Sequence, residues 1–171
     1  MPAPSVPTPA AQTTAQTSAR TTAEPLFRER LTPSPAVWIV AAATGALFGI
    51  ILVPLSTLAA MIVAPLMAGG ACVLLAMTSP VVEIRPDLVA VGPARIEPEL
   101  LGAPEVLEGE DWARTMGTGF EPLAHHCVRG WIRGGVRLPV LDRQDPTTAW
   151  VVSSRRPEEL ALAVRAAQAG A

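Results

Sequence analysis

The 171-residue chain carries thirteen basic and fifteen acidic side chains for a net charge of −2, so no overall positive field draws it to nucleic acid. Half of its residues are apolar and only 16% are charged, a composition short of charge for an ordinary soluble domain. The two cysteines exclude a disulfide framework, because Cys72 lies inside an apolar run and Cys127 in a polar region.

Residues 1–25 are nearly all Pro, Ala, Thr, Ser and Gln. Such a segment buries too little surface to offset its chain entropy, and a disordered arm is expected. It is not a cleavable signal peptide, since the apolar run begins too late and runs too long. All the basic residues are Arg, and with 18 prolines this bias fits codon usage in a GC-rich genome.

A juxtamembrane segment is expected at 26–35, and from Leu31 within it to Val82 the chain runs 52 residues without Asp, Glu, Lys, Arg or His. One helix of that length would extend ~78 Å, far beyond a ~30 Å hydrocarbon core. Split once, the run gives two transmembrane helices at 36–54 and 56–78, with apolar cores at about Ala36–Val53 and Thr57–Met77. Pro54, Ser56 and Thr57 supply the break, and Trp38 sits where an indole favours the headgroup level. Arg20, Arg28 and Arg30 precede the first span, Arg85 follows the second, and the link is uncharged. The positive-inside rule then predicts a multi-pass protein of the cytoplasmic membrane with both termini in the cytoplasm.

Small residues recur every fourth position in both spans: Ala41, Gly45 and Gly49 in the first, and Ala60, Ala64, Ala68, Cys72 and Ala76 in the second. Such ridges let two backbones approach closely, and the short link predicts that they face one another. Pro65 predicts a kink in the second span. Neither span carries an ionisable group, and Thr44 is the one polar side chain deep in the first. An ion pathway usually needs such groups, so the helices read as an anchor.

Residues 79–171 change in texture, and a cytoplasmic β-rich domain is expected there. β-branched runs at Val81–Ile84, Leu88–Val91, Ala94–Ile96, Val106–Leu107, His126–Ile132, Val136–Leu141 and Ala149–Ser153 alternate with Gly and Pro turns. Pro157, Glu158 and Glu159 then open a helix to about Ala169, with Leu160, Ala163, Val164 and Ala167 on one face. The expected fold class is a membrane α-helical hairpin joined to an α+β domain. That domain is a small antiparallel sheet or barrel whose C-terminal helix covers one open end, a pleckstrin-homology-like plan.

Several short motifs bear on family. They are Arg28-Glu29-Arg30-Leu31-Thr32-Pro33, Pro80-Val81-Val82-Glu83-Ile84, Gly92–Ile96, Arg129-Gly130-Trp131, Asp145-Pro146-Thr147, and Trp150-Val151-Val152-Ser153-Ser154-Arg155-Arg156-Pro157. Together they resemble the actinobacterial membrane-protein family described as domain of unknown function 3093, over about residues 26–168. Thr148-Ala149 and Gly130 depart from that pattern, where Pro-Tyr and Pro are expected. The resemblance implies class and topology and assigns no activity.

Among candidate sites, His125-His126-Cys127 is the one cluster of metal-ligand types. Strand neighbours point to opposite faces, and no third ligand is evident, so no metal is expected. Arg129, Trp131 and Arg133 fall on one face of the expected strand, with Arg137, Arg143, Arg155 and Arg156 following. Three readings of this basic face stand: contact with anionic lipid, a docking face for a protein partner, or internal pairing with acids such as the seven between Glu97 and Glu121. Glu108, Glu110 and Asp111 read as a solvated loop. Ser153 and Ser154 lack a Gly-x-Ser-x-Gly context, and no phosphate-binding loop, dinucleotide fingerprint or Cys-x-x-Cys occurs.

No catalytic role and no cofactor are therefore expected. The leading expectation is a membrane-anchored interaction or lipid-contact module whose partners are the bilayer and a membrane or cytoplasmic protein. The alternative is an accessory subunit of a larger transporter or envelope enzyme, with the small-residue ridges facing outward.

Overall fold

The computed structural model describes residues 24–170. Residues 1–23 of the expected arm, including Arg20 of the orientation argument, lie outside that range.

The segment read as a juxtamembrane linker holds a strand, β1 (Phe27–Arg30). Its alternation buries Phe27 and Glu29 and exposes Arg28 and Arg30, the period-two pattern of a strand with one covered face. Four residues are too short a run to stand out beside the apolar helix that follows. Pro35 then opens α1 (Pro35–Leu52), a position where its missing N–H costs nothing. A short turn leads to α2 (Thr57–Met77), where the Ser56 hydroxyl accepts a hydrogen bond from the Ala59 N–H at 3.3 Å. Both helices are long and apolar enough to cross a membrane, and they pack against each other as a hairpin. Pro65 lies inside α2.

The hairpin is an insertion between two paired strands. β2 (Val81–Arg85) runs antiparallel to β1, with Arg30 opposite Val81 and Phe27 opposite Ile84. β3 (Leu88–Val91) and β4 (Ala94–Ile96) complete a four-stranded antiparallel sheet in the order β1-β2-β3-β4. The β3–β4 turn needs a left-handed residue and uses Gly92, at φ 59°.

A second four-stranded sheet has the order β5-β7-β8-β6, from β5 (Glu105–Glu108), β6 (His125–Cys127), β7 (Gly134–Pro139) and β8 (Ala149–Ser153). Here the expected all-antiparallel plan is corrected, because β6 runs parallel to β8. The cause is the connection after β5. Residues read as a solvated loop form α3 (Gly109–Met116), which carries the chain from one edge of the sheet to the other, so β6 enters in the direction of β5. Glu110 and Asp111 sit in the first turn of α3, where negative charge suits the helix end, and Trp112 is its buried anchor. The expected strand His126–Ile132 is also corrected. It ends at Cys127, and a turn follows in which the Ile132 N–H bonds the Arg129 carbonyl at 2.9 Å.

The last helix, α4 (Pro157–Gly170), buries Leu160, Ala161, Ala163, Val164 and Ala167. These pack with Val82, Ile84, Val89 and Val91 of the first sheet and Val136, Leu138 and Val152 of the second in one continuous core. Each fully buried Val, Leu or Ile contributes ~1.5–3 kcal/mol relative to exposure, so this shared core holds the two sheets together. A smaller cluster of Leu107, Trp112, Ala124, Ala149 and Val151 lies under α3.

Candidate functional site

The neck, where hairpin and sheets meet, concentrates the polar chemistry. Leu31 is fully buried and ties the chain down as it leaves β1. At the other side α2 ends with Thr78 and Ser79, whose hydroxyls donate back to the Leu74 and Leu75 carbonyls at 2.9 Å each. The exposed carbonyls of this helix end receive arginines. Arg30 donates to the Ala76 carbonyl at 2.9 Å, and Arg129 donates to the Thr78 carbonyl at 2.8 Å. Cations at a helix C-terminus complement its dipole as well as its unsatisfied oxygens. Arg155 donates to the Thr32 carbonyl, just before α1.

Below this ring lies a buried carboxylate. Glu29 on β1 accepts from the Ser154 hydroxyl at 2.6 Å and the Arg155 N–H at 3.1 Å, with the Arg155 guanidinium 3.7 Å away. Ser154 in turn accepts from the Arg156 N–H, and the Arg156 guanidinium sits 5.0 Å above the Phe27 ring. The Ser-Ser-Arg-Arg run thus fastens the start of the described chain to its last helix. Ser154 is almost fully enclosed, and its hydroxyl is spent on Glu29.

The four residues expected to form one basic face separate. Arg129 turns to the neck, held additionally by its N–H on the Ser153 hydroxyl at 3.0 Å. Trp131 is half-buried against the main core, its indole N–H enclosed without a partner among the described residues. Arg133 is exposed. Arg137 leaves the set: on β7 it donates to Glu121 at 2.8 Å and to Glu105 at 3.2 Å. That hydrogen bond from Arg137 is the largest influence holding the Glu121 carboxyl below its ordinary value, and it raises Arg137 in return. Sequence spacing puts Arg129, Trp131 and Arg133 on one strand face; the turn after Cys127 removes the alternation on which that placement depends. Arg30 was missed as a neck residue because its partner Ala76 is 46 residues away.

The two histidines diverge as well. His126 stacks on Phe120 with ring centres 4.5 Å apart, and its Nε2 donates to the Glu121 carbonyl at 2.9 Å. His125 tilts against Trp150. Cys127 is buried, and burial pushes its thiol above the ordinary value. The described residues hold no group of three or more His, Cys, Asp or Glu side chains arranged to bind a metal ion.

At the end of the domain away from the hairpin, three adjoining hollows share Leu88. The largest is about 500 Å³, and Asp87, Glu97 and Glu99 line it. Three carboxylates thus gather in the largest hollow, while Arg85 and Arg95 line the two beside it.

One family profile, described as Protein of unknown function (DUF3093), matches residues 26–164. The chain belongs to that family. The match begins just before β1 and ends inside α4, so the hairpin and both sheets fall within it. No curated protein and no solved structure matches the chain.

Proposed function

We propose that the hairpin crosses the cytoplasmic membrane and holds the β-rich domain against the inner leaflet, where the domain acts as a non-enzymatic interaction module. The observation that carries this reading is the inverted packing of the hairpin. Its buried residues are Gly45, Gly49 and Ala60, while Ile39, Ile50, Ile51, Leu58, Met61, Leu66 and Leu74 stand exposed. Large apolar side chains turned outward around a core of small ones suit a hydrocarbon solvent. Pairing of β1 with β2 brings the chain back to the side it left, and the flanking arginines favour the cytoplasmic side for both flanks of the hairpin. A second sheet and a covering C-terminal helix accord with the pleckstrin-homology-like plan as far as layers go, and the parallel β6–β8 pair departs from it. Because Gly45 and Gly49 meet Ala60, Ala64 and Ala68 of the same hairpin, the small-residue ridges are taken up internally. That favours an anchor over an accessory subunit that offers them to a larger complex.

Cysteine labelling tests the arrangement. With Cys72 and Cys127 replaced by Ala, Leu55→Cys at the hairpin tip should react with an impermeant maleimide in intact cells. Asp87→Cys should react only after the inner face is opened. The reverse pattern, or protection of both, sinks the topology. Mild-detergent capture from native membranes then tests the module: substitutions in the Leu88 hollows should release a partner that the wild-type chain retains.

A further inference from the structure

Two of the neck arginines, Arg30 and Arg129, bring a charge to the end of α2 that no carboxylate balances there. Arg85, Arg114, Arg137, Arg155 and Arg156 each lie within ion-pair distance of a carboxylate. Arg30, Arg95, Arg129, Arg133, Arg143 and Arg165 have no carboxylate partner among the described residues, and of these Arg30 and Arg129 donate to carbonyls at the end of α2. The acids nearest the neck are already committed, Glu29 to Ser154 and Arg155, and Glu83 to Arg28 and Arg85. Arg30 spends one bond on Ala76, and Arg129 spends its side-chain bonds on Val128 and Thr78. A guanidinium offers five N–H donors, so each keeps some unspent.

Their level matters as much as their freedom. α2 has 21 residues, and at ~1.5 Å per residue it extends ~31 Å, close to the ~30 Å thickness of a hydrocarbon core. Its last turn, where Arg30 and Arg129 dock two residues apart, then lies at the headgroup boundary. Trp38, one turn into α1, lies near the same level. The positive charge of the two arginines is what a phosphate at that level attracts, and a lysine in either place would keep that attraction.

We propose that Arg30 and Arg129 form a binding site for the phosphate of an anionic phospholipid at the end of α2. This deepens the membrane-anchored reading and rests on it. Each arginine bridges a helix-end carbonyl and a lipid phosphate, so the lipid fixes the domain's orientation on the bilayer.

The test uses the full chain in nanodiscs of phosphatidylcholine alone and of phosphatidylcholine with phosphatidylglycerol, with retained lipid read by native mass spectrometry. The wild type should retain phosphatidylglycerol preferentially. Arg30→Gln with Arg129→Gln should lower that preference about fivefold per arginine while the chain stays incorporated. Arg143→Gln, in the far-end turn, should leave it unchanged. Arg30→Lys with Arg129→Lys keeps both charges and should retain the preference even if the Gln pair folds poorly. An incorporated wild type without preference, a Gln pair that keeps it, or a folded Lys pair that loses it would overturn the site. So would inorganic phosphate displacing the retained lipid from wild type, which would assign the site to a free anion. Failure of the chain to resist alkaline extraction from vesicles would instead refute the membrane reading itself.

Discussion

The hairpin and the β-rich domain solve packing in opposite ways. In the domain, Val82, Ile84, Val89, Leu138, Val152 and Leu160 point inward, and the charged residues cover the outside. In the hairpin the inside belongs to Gly45, Gly49 and Ala60, and the outside to Ile, Leu, Met and Phe. Water drives the first arrangement by expelling apolar surface. Between helices in lipid that drive is absent, and close backbone approach gains contact instead. On the proposed reading one chain meets two solvents, and the neck must satisfy backbone groups where they change.

Overpacking the hairpin should give the largest effect. A Cβ on Gly45 would overlap the Ala68 backbone and come within 2.8 Å of the Met67 carbonyl carbon. Gly45→Leu therefore forces the helices apart, at a cost of about 3 kcal/mol. Thermal unfolding in nanodiscs should show it, whereas Gly69→Leu, with open space around that Cβ position, should be nearly silent. Equal effects would mean that the hairpin interface lies elsewhere.

Gly135→Ala asks the same question of the domain. The added methyl would overlap the Val152 carbonyl and lie 2.7 Å from the Trp112 ring. Neither a strand backbone nor a buried indole yields easily, and about 2 kcal/mol should be lost. If the two regions are packed independently, the variant stays membrane-inserted while its domain loosens. Cys127 reports this: buried and with a raised thiol pKa, it should resist maleimide in the wild type and react readily in the variant.

Glu29→Ala acts on the joint. It leaves the Ser154 hydroxyl and the Arg155 N–H without their acceptor, a loss of about 2 kcal/mol. Glu29→Gln keeps an acceptor oxygen and should recover part of it. Denaturant unfolding of both variants separates the hydrogen bonds from the charge.

Much of this fold is legible in the residues. The span Thr57–Met77 and the strands Leu88–Val91, Ala94–Ile96 and Ala149–Ser153 have the predicted limits, because an apolar helix or an alternating strand writes its own period. β1 escapes because a four-residue strand needs a partner to exist, and that partner lies beyond the whole hairpin. α3 escapes because it has only eight residues, so its one apolar pair, Trp112 and Met116 four residues apart, is too short a pattern to mark a helix. The neck is legible only in part. Arg129 stands out by charge, but Arg30 and Glu29 acquire meaning from partners brought near by folding.

The smallest expected effect is also the most selective for the domain. Glu121 joins Arg137 of β7 to the loop before β6, and its folded-state pKa lies below its ordinary value of 4.5, chiefly because Arg137 donates to it. A carboxyl with a depressed folded pKa contributes stability that is fully present above its unfolded value. That contribution is lost as pH falls from about 4.5 through the folded value. The pair is partly exposed, so solvent screens it and the loss is modest. Glu121→Gln should thus flatten the acid side of the domain's stability profile, leaving extraction of the hairpin from the bilayer unchanged at every pH. A hairpin that becomes extractable as the Glu121–Arg137 pair protonates would show that the two regions are energetically one unit, joined through the neck by more than the strands that flank it.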